Sequence, residues 1–399
     1  MTTDSQLKYK DAIVIGGGMV GAATALGLAQ LGLSVSVIES VAPQPFEENQ
    51  PLDVRVSAIS AASEKLLNRL GAWEGVFNKR HAVYRGLETW ELDGFITQFH
   101  CEQIHEEHLG HIVENRVIQL GLWEQLQQMD NVEMLCPEKV NQFEYQQGSF
   151  QQVKVSLESG KQRIANLLIG CDGANSSVRQ WAGIGITGWD YKQSCMLINI
   201  ETQTTQQDVT WQQFTPNGPR SLLPLPGNHA SLVWYDSPQT IAKLMQSNPV
   251  QLAEQIRAHF PERLDPNFIV LDKGAFPLTR RHANQYYADN VVILGDAAHT
   301  INPLAGQGVN LGFKDVDALL SVVAKALGDN QIWYQSSVLS EYQSLRYKDN
   351  LMMQTGMDVF YKAFSNNVMP IKAIRNLALK VANIDSPIKQ KVLKYALGF

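Results

Sequence analysis

Glycines and carboxylates recur at the carboxyl ends of apolar runs in this chain of 399 residues. Residues 12–15 run into Gly16-Gly17-Gly18-Met19-Val20-Gly21, and a stretch rich in Ala, Leu and Gly follows as far as Gly32. That is the order strand, tight turn, helix. Gly16 lets the chain reverse, Gly18 lets a pyrophosphate approach the backbone, and Gly21 lets the helix pack closely on the sheet, so that the helix N-terminus faces phosphate. A second strand over residues 34–38 delivers Glu39, eighteen residues beyond Gly21, where a carboxylate can accept both hydroxyl hydrogens of an adenosine ribose. Glycines after a strand also make plain turns; the acid at this distance favours the dinucleotide reading.

Two later segments repeat the device. Leu167-Leu168-Ile169-Gly170 leads into Cys171-Asp172-Gly173, and Val291-Val292-Ile293-Leu294 leads into Gly295-Asp296. Ligands of open parallel sheets sit beyond the carboxyl ends of the strands, so Asp172 and Asp296 are placed for ribityl and ribose hydroxyls. Asp172 can equally cap the next helix, and the two roles can coexist. After Asp296, an uncharged loop through Pro303, Gly306 and Gly308 leads into a predicted helix over about 309–327, whose first N–H groups suit the negative charge of a reduced flavin ring. The three segments together read as a cradle for FAD.

With these three fingerprints in this order, the chain resembles the class A flavoprotein aromatic hydroxylases of the ubiquinone-biosynthesis group, relatives of para-hydroxybenzoate hydroxylase. The resemblance runs through residues 53–60, 211–214 and 394–398, and these less generic stretches look most like the bacterial demethoxyubiquinol hydroxylases. It implies an α/β fold with a Rossmann-type FAD domain, an antiparallel β-sheet substrate domain and a C-terminal helical region. It also implies FAD as cofactor, NADH or NADPH as a transient reductant, and a polyprenylated quinol and O2 as substrates. In the resembled mechanism the nicotinamide reduces the flavin and leaves, dioxygen adds at the flavin C4a carbon, and an electron-rich ring attacks the hydroperoxide. The resemblance implies no lasting nicotinamide site, only transient docking.

The same resemblance places Arg55 near the flavin or the incoming nicotinamide, a surface arginine being the alternative. Asn115 stands where many relatives carry an arginine that touches FAD, with Arg116 next door as a substitute. His299 is expected to brace its loop rather than act as a base. The alternative functions are hydroxylation of another ring position, a different FAD enzyme, and a non-catalytic member of a ubiquinone-biosynthesis assembly. Residues 233–238 lack the Trp-x-Trp-x-Ile-Pro pattern of flavin halogenases.

Because the cradle pieces are scattered, the FAD-binding domain must be discontinuous: residues 1–80, 108–188 and 284–345. Residues 81–107 and 189–283 then form the β-sheet substrate domain and 346–399 a helical region. From 194 to 236 the pattern alternates, with Met196, Ile198 and Ile200 and later Leu232 and Trp234, which argues antiparallel strands. In the resembled family such a sheet roofs the flavin. Gln213, Phe214, Leu223, Pro224 and Trp234 are the substrate-pocket candidates, with core packing open to each.

Composition sets outer bounds. With 44% hydrophobic and 18% charged residues the chain is an ordinary soluble type, long enough for two or three domains. Cys101, Cys136, Cys171 and Cys195 have no metal-ligand spacing, so no metal is predicted, and they read as buried residues in a reducing compartment. Residues 12–38 carry no formal charge, yet a three-glycine turn with Thr24, Gln30, Ser34 and Ser36 excludes a span. The reading is therefore cytoplasmic, without a transmembrane segment, any contact with the inner membrane being peripheral. From 343 onward nine Lys or Arg face three Asp, a surplus of +6 against −6 for the whole chain. Ile374, Leu377, Ala378 and Val381 recur at helical spacing with Lys372, Arg375 and Lys380 elsewhere on the turn. Such a helix either touches anionic lipid or an acidic partner, or packs on the acidic body with its charges in solvent; the second reading is preferred. The net negative charge argues against nucleic acid.

Overall fold

The computed structural model describes residues 7–146, 151–301, 308–366, 369–383 and 389. Its first strand, Lys8–Ile15, is buried over its last four residues, Ala12 to Ile15. Such a run has no polar face to offer water, so the strand sits inside a parallel sheet covered on both sides. It pairs in parallel with Gln162–Gly170 on one edge and Val35–Ile38 on the other. Beyond these lie Val291–Ile293, parallel to Gln162–Gly170, and Val132–Leu135, parallel to Val35–Ile38. Gln152–Leu157 pairs antiparallel with Gln162–Gly170 and carries Val140–Gln146 antiparallel on its other edge.

The register of this sheet matters for everything that follows. Ile38 lies opposite Ile15, Ile15 opposite Gly170, and Gly170 opposite Ile293. Four strands therefore end in one line, and Glu39, Gly16, Cys171 and Leu294 are the first residues beyond it.

A second sheet runs in the order His299–Thr300, Phe268–Ala283, Ile186–Thr202, His229–Asp236, Arg220–Pro224, Val209–Gln213, Gly86–Trp90, Thr97–His100. Its pairs are antiparallel apart from Val209–Gln213 with Gly86–Trp90. Alternation gives it two faces. Met196, Ile198, Ile200, Trp211, Leu222, Leu232 and Trp234 pack beneath the helices Pro238–Gln246 and Pro249–His259. Cys195, Leu197, Val233, Tyr235, Phe276 and Leu278 form a separate cluster on the other face. A small antiparallel sheet of Val56–Ser60, Gly110–Glu114 and Ala82–Tyr84 stands between the two large ones in the chain order.

The helix Met369–Ala382 packs on the body, as the preferred sequence reading has it, but Arg375 rather than the apolar stripe faces inward. Ile374 and Leu377 are 70% and 58% exposed, whereas Arg375, Asn376 and Leu379 are buried. The cause is Glu91, a buried carboxylate just beyond the strand Gly86–Trp90. Arg375 Nε donates to Glu91 Oε2 at 2.7 Å, Arg375 Nη2 to Glu91 Oε1, and Asn376 Nδ2 to Glu91 Oε2 at 2.6 Å. Leaving Glu91 without a partner would cost on the order of 3–5 kcal/mol, enough to offset the exposure of two aliphatic side chains that are only partly in water.

Candidate cofactor site

The aligned strand ends open onto a cavity of about 380 Å³ whose wall includes Gly18, Arg55, Asn115, Gly173, Asp296 and Gly308. A second cavity of about 800 Å³ adjoins it, sharing Gly18, Met19, Arg55 and Asn115 and bounded further by residues 50–54 and Arg116. Residues from all three sequence segments thus meet at one place.

The glycines of the first turn divide into two kinds. Gly16 has φ +97°, and a Cβ there would lie 2.4 Å from the carbonyl oxygen of Cys171; at Gly21 a Cβ would lie 1.8 Å from the carbonyl oxygen of Gly16. Both are required by the protein's own packing. Gly18 is different: its backbone is extended, at φ −68°, and a Cβ would meet no atom within 4 Å. Nothing among the described residues demands glycine at 18. The opening sits at the N-terminus of the helix Met19–Gln30, whose free N–H groups suit a pyrophosphate.

Glu39 stands just behind the cavity wall. Its Oε2 accepts from Gly17 N at 2.6 Å and its Oε1 from Val41 N at 2.9 Å. On the other side of the same turn, Gly17 O accepts from Gln119 Nε2 at 2.8 Å and Trp123 Nε1 at 2.7 Å. Asp172 lies between two lining residues, Cys171 and Gly173. Its Oδ2 accepts from Ser177 N at 2.7 Å and Val178 N at 3.2 Å, so it does cap the helix Ser177–Trp181, jointly with Ser176. Its Oδ1 is buried with no partner among the described residues, a state that costs about 1–3 kcal/mol until a donor arrives.

Asp296 reaches cavity solvent while protein surrounds it, and this burial pushes its carboxyl pKa up, with His299 and Arg55 pulling the other way. Arg55 is exposed and belongs to both cavity walls. Asn115 begins the helix Asn115–Leu126 and its Oδ1 accepts from Ser57 Oγ at 2.6 Å. Arg116 is committed elsewhere: it pairs bidentately with Asp53 at 2.8 and 2.9 Å and donates to Gln44 O and Pro45 O. It holds the loop over 44–53. Gly308 opens the helix Gly308–Gly328, while Pro303 and Gly306 lie outside the described residues.

Several residues that position the site carry no mark in the sequence motifs. His299 does brace its loop, and the group it uses is Asp315: His299 Nε2 is 2.5 Å from Asp315 Oδ2, which also accepts from Gly295 N at 3.0 Å. Asp315 Oδ1 accepts from Arg346 Nε at 2.8 Å and Asn350 Nδ2 at 3.0 Å. Burial alone would push the Asp315 carboxyl up; His299 and Arg346 outweigh it and hold the group down at about 2. An acid at position 315, one turn from both Leu311 and Leu319 on the apolar face of a helix, was the available signal. Arg179 clamps the second and third segments together, donating to Ala174 O at 3.1 Å and Ala297 O at 2.8 Å.

The pocket candidates from the sheet do not converge on the cavity. Trp234 is buried on the face covered by helices, packed against His259, Phe260 and the Arg220 guanidinium. Gln213 and Pro224 share its parity, being paired in register with Arg220 and Ala230. Phe214 leaves the strand to pack on Phe360 and Phe364. Leu223 lies on the opposite parity but packs with Leu225, Tyr84 and Leu109. The sheet residues that line the cavity are Leu197, the run from Phe276 to Thr279, and Thr300 on the edge strand. Period-two spacing defines two faces without saying which one a cofactor meets.

Residues 9–348 match the model of a family described as FAD binding domain. The chain is 49% identical to the 3-demethoxyubiquinol 3-hydroxylase of Escherichia coli (strain K12), covering 96% of this chain and 97% of that one. It is 32% identical to the mitochondrial ubiquinone biosynthesis monooxygenase COQ6 of Danio rerio, over 99% and 91% of the two chains. It is 30% identical to the ubiquinone hydroxylase UbiL of Rhodospirillum rubrum, again over 99% and 91%. Among solved structures, p-nitrophenol 4-monooxygenase PnpA from Pseudomonas putida superposes with a TM-score of 0.79 at 19% identity, over 98% of this chain and 97% of that one. Klebsiella pneumoniae HpxO, complexed with FAD and uric acid, gives 0.71 at 16%, over 98% and 96%. The fold is thus that of the para-hydroxybenzoate hydroxylase-like monooxygenases, and the chain belongs to the FAD-dependent monooxygenase family that includes the ubiquinone-biosynthesis hydroxylases.

Proposed function

We propose that this chain hydroxylates the benzoquinol ring of a polyprenylated ubiquinone precursor, demethoxyubiquinol, with FAD, NAD(P)H and O2. The observation that carries the choice of substrate is the 49% identity, spread over nearly the full length of both chains, with the Escherichia coli enzyme. A cradle whose central glycine faces open space, beside an acid oxygen without a donor, supports FAD as the resident group.

In this reading Gly16, Gly18 and Gly21 let the pyrophosphate reach the N-terminus of the helix Met19–Gln30, and Glu39 takes the adenosine ribose. Glu39 already accepts from Gly17 N, Val41 N and Ser40 Oγ; of a carboxylate's about four lone-pair sites one remains for a ribose hydroxyl, and a second opens when the exposed Ser40 hydroxyl turns away. Asp172 with Gly173, and Asp296 after Gly295, serve the ribityl and ribose side, while Arg55, Asn115 and Gly308 border the ring. When bound, FAD supplies the redox chemistry: it accepts hydride from the nicotinamide and activates dioxygen. The chain's own part is to hold and to exclude. Leu197, Phe276 and Leu278 present an apolar roof that keeps water from the reacting centre. Arg55, exposed at the seam of the two cavities, offers a positive charge to the phosphates of a nicotinamide that docks only transiently. The cofactor domain is discontinuous in sequence, over 1–80, 108–188 and 284–345.

The polyprenyl tail gives the exposed apolar side of the C-terminal region a purpose. Among the described residues no helix is long and apolar enough to cross a membrane. Ile374 and Leu377 nevertheless face outward, with exposed Lys380 on the same helix, and Met352 and Val359 are exposed on Ser336–Phe364. We read this as a surface for peripheral contact with the membrane or the assembly that holds the substrate. The decisive experiment is mass analysis of the quinone intermediate that accumulates when the gene is deleted. A demethoxy compound, removed on re-expression of this chain, supports the proposal; an earlier, less substituted intermediate moves the activity to another ring position.

A further inference from the structure

His81, His100, His105, His108 and His111 place five of the chain's nine histidines within residues 81–111. Two of them converge with Glu64 of the helix Ala61–Arg69, and none of these three residues lines either cavity. His108 Nε2 lies 2.6 Å from Glu64 Oε2, and His111 Nε2 lies 3.4 Å from the same oxygen. The two imidazole nitrogens are 3.2 Å apart.

Hydrogen bonding serves this triangle badly. The same two Nε2 atoms that would donate to Glu64 also face each other, so either two N–H hydrogens crowd together or one donation is given up. A cation at the centre removes the conflict, because all three atoms then direct lone pairs inward. The dimensions agree. Ligand atoms about 2.0–2.1 Å from a tetrahedral Zn²⁺ stand roughly 3.3–3.4 Å from one another. Two edges of the triangle are already near that length. The third must widen, and His108 can yield because it precedes the strand Gly110–Glu114 and its side chain is 23% exposed. Two imidazoles and a carboxylate are a donor set suited to zinc and its neighbours. The partial exposure of Glu64 and His108 leaves the solvent side open for a water ligand, while buried His111 fixes the inner side.

We propose that Glu64, His108 and His111 form a divalent transition-metal site that takes Zn²⁺, with water as the fourth ligand. Its role follows from what it joins. The helix of Glu64 begins directly after the strand Val56–Ser60, and the strand of His111 runs directly into Asn115. Ser57 and Asn115 both line the cavity, so a bound ion would fasten together the two elements that carry that wall. His111 Nδ1 has no hydrogen-bond partner among the described residues. A missing outer partner of this kind typically weakens metal affinity about 10–100-fold, so we expect micromolar rather than nanomolar binding.

The test uses tag-free holoenzyme stripped with chelator and then equilibrated with Zn²⁺ alone. Zinc is counted by elemental mass spectrometry, and affinity is measured by competition with a chromophoric chelator. We expect one Zn²⁺ per chain and an affinity loss of at least about 10–100-fold in both Glu64→Gln and His108→Asn. FAD content and circular dichroism should stay unchanged in these variants, and added Zn²⁺ should raise the Tm of the parent protein only. Substoichiometric zinc in the parent protein, or variants that bind zinc as the parent does, would overturn the proposal.

Discussion

Replacing Gly18 with valine separates the demands of the ligand from those of the fold. At φ −68° and ψ −173° the backbone suits any residue, and an added Cβ meets nothing within 4 Å among the described residues. The substitution weakens an N-cap, a cost of about 1 kcal/mol, and creates no clash. Its methyl groups would occupy the space beside the helix N-terminus. If they displace two charge-assisted hydrogen bonds to the pyrophosphate, each worth about 1.5–3 kcal/mol, FAD affinity falls by ~3–6 kcal/mol, on the order of 10²–10⁴ in Kd. Flavin absorbance after gel filtration and fluorescence titration of FAD into stripped protein would read the loss; circular dichroism would report an intact fold. Gly21→Ala is the contrasting control, because its Cβ would lie 1.8 Å from the carbonyl oxygen of Gly16, and it should fail in folding before binding is tested. A Gly18→Val protein that stays yellow with near-parental FAD affinity would refute the cradle.

Three further outcomes are expected. Asp315→Asn should destabilise the protein by about 1–3 kcal/mol, because Arg346 loses its fully buried partner and keeps only Asp349; denaturant unfolding checks this. The depressed Asp315 carboxyl contributes stability that is present above the ordinary carboxylate value near 4 and is lost as pH falls toward about 2. It amounts to ~2 kcal/mol, so the variant's acid unfolding profile should be flatter in that window. Arg375→Ala should cost about 3–5 kcal/mol by stranding Glu91, and the double variant with Glu91→Gln should recover much of it, as unfolding midpoints would show. Trp234→Ala should lower stability by about 3–5 kcal/mol with KM for the quinol little changed, whereas Phe276→Ala should raise KM; steady-state kinetics beside thermal melts distinguishes the two faces of the sheet.

The parts of this protein that are legible in its sequence are those whose physical cause is local. A strand that must turn at once into a helix needs Gly16 at its positive φ and Gly21 against the Gly16 carbonyl, and an acid at the end of an apolar run marks a strand end by its neighbours alone. Hence Glu39, Asp172 and Asp296 could be singled out from the residues beside them. What brings them together is the register of three parallel pairings, which sets Ile38, Ile15, Gly170 and Ile293 side by side. Alternation between Leu232 and Trp234 likewise declared a two-faced sheet, but only the helices Pro238–Gln246 and Pro249–His259 decided that Trp234 lies under them and Phe276 over the cavity. The bond between Arg375 and Glu91 spans 284 positions, and it turned Arg375 inward against the helix's own amphipathic pattern. Periodicity records which residues share a face, whereas the partner of a buried charge is fixed by whichever distant segment comes within a few ångströms of it.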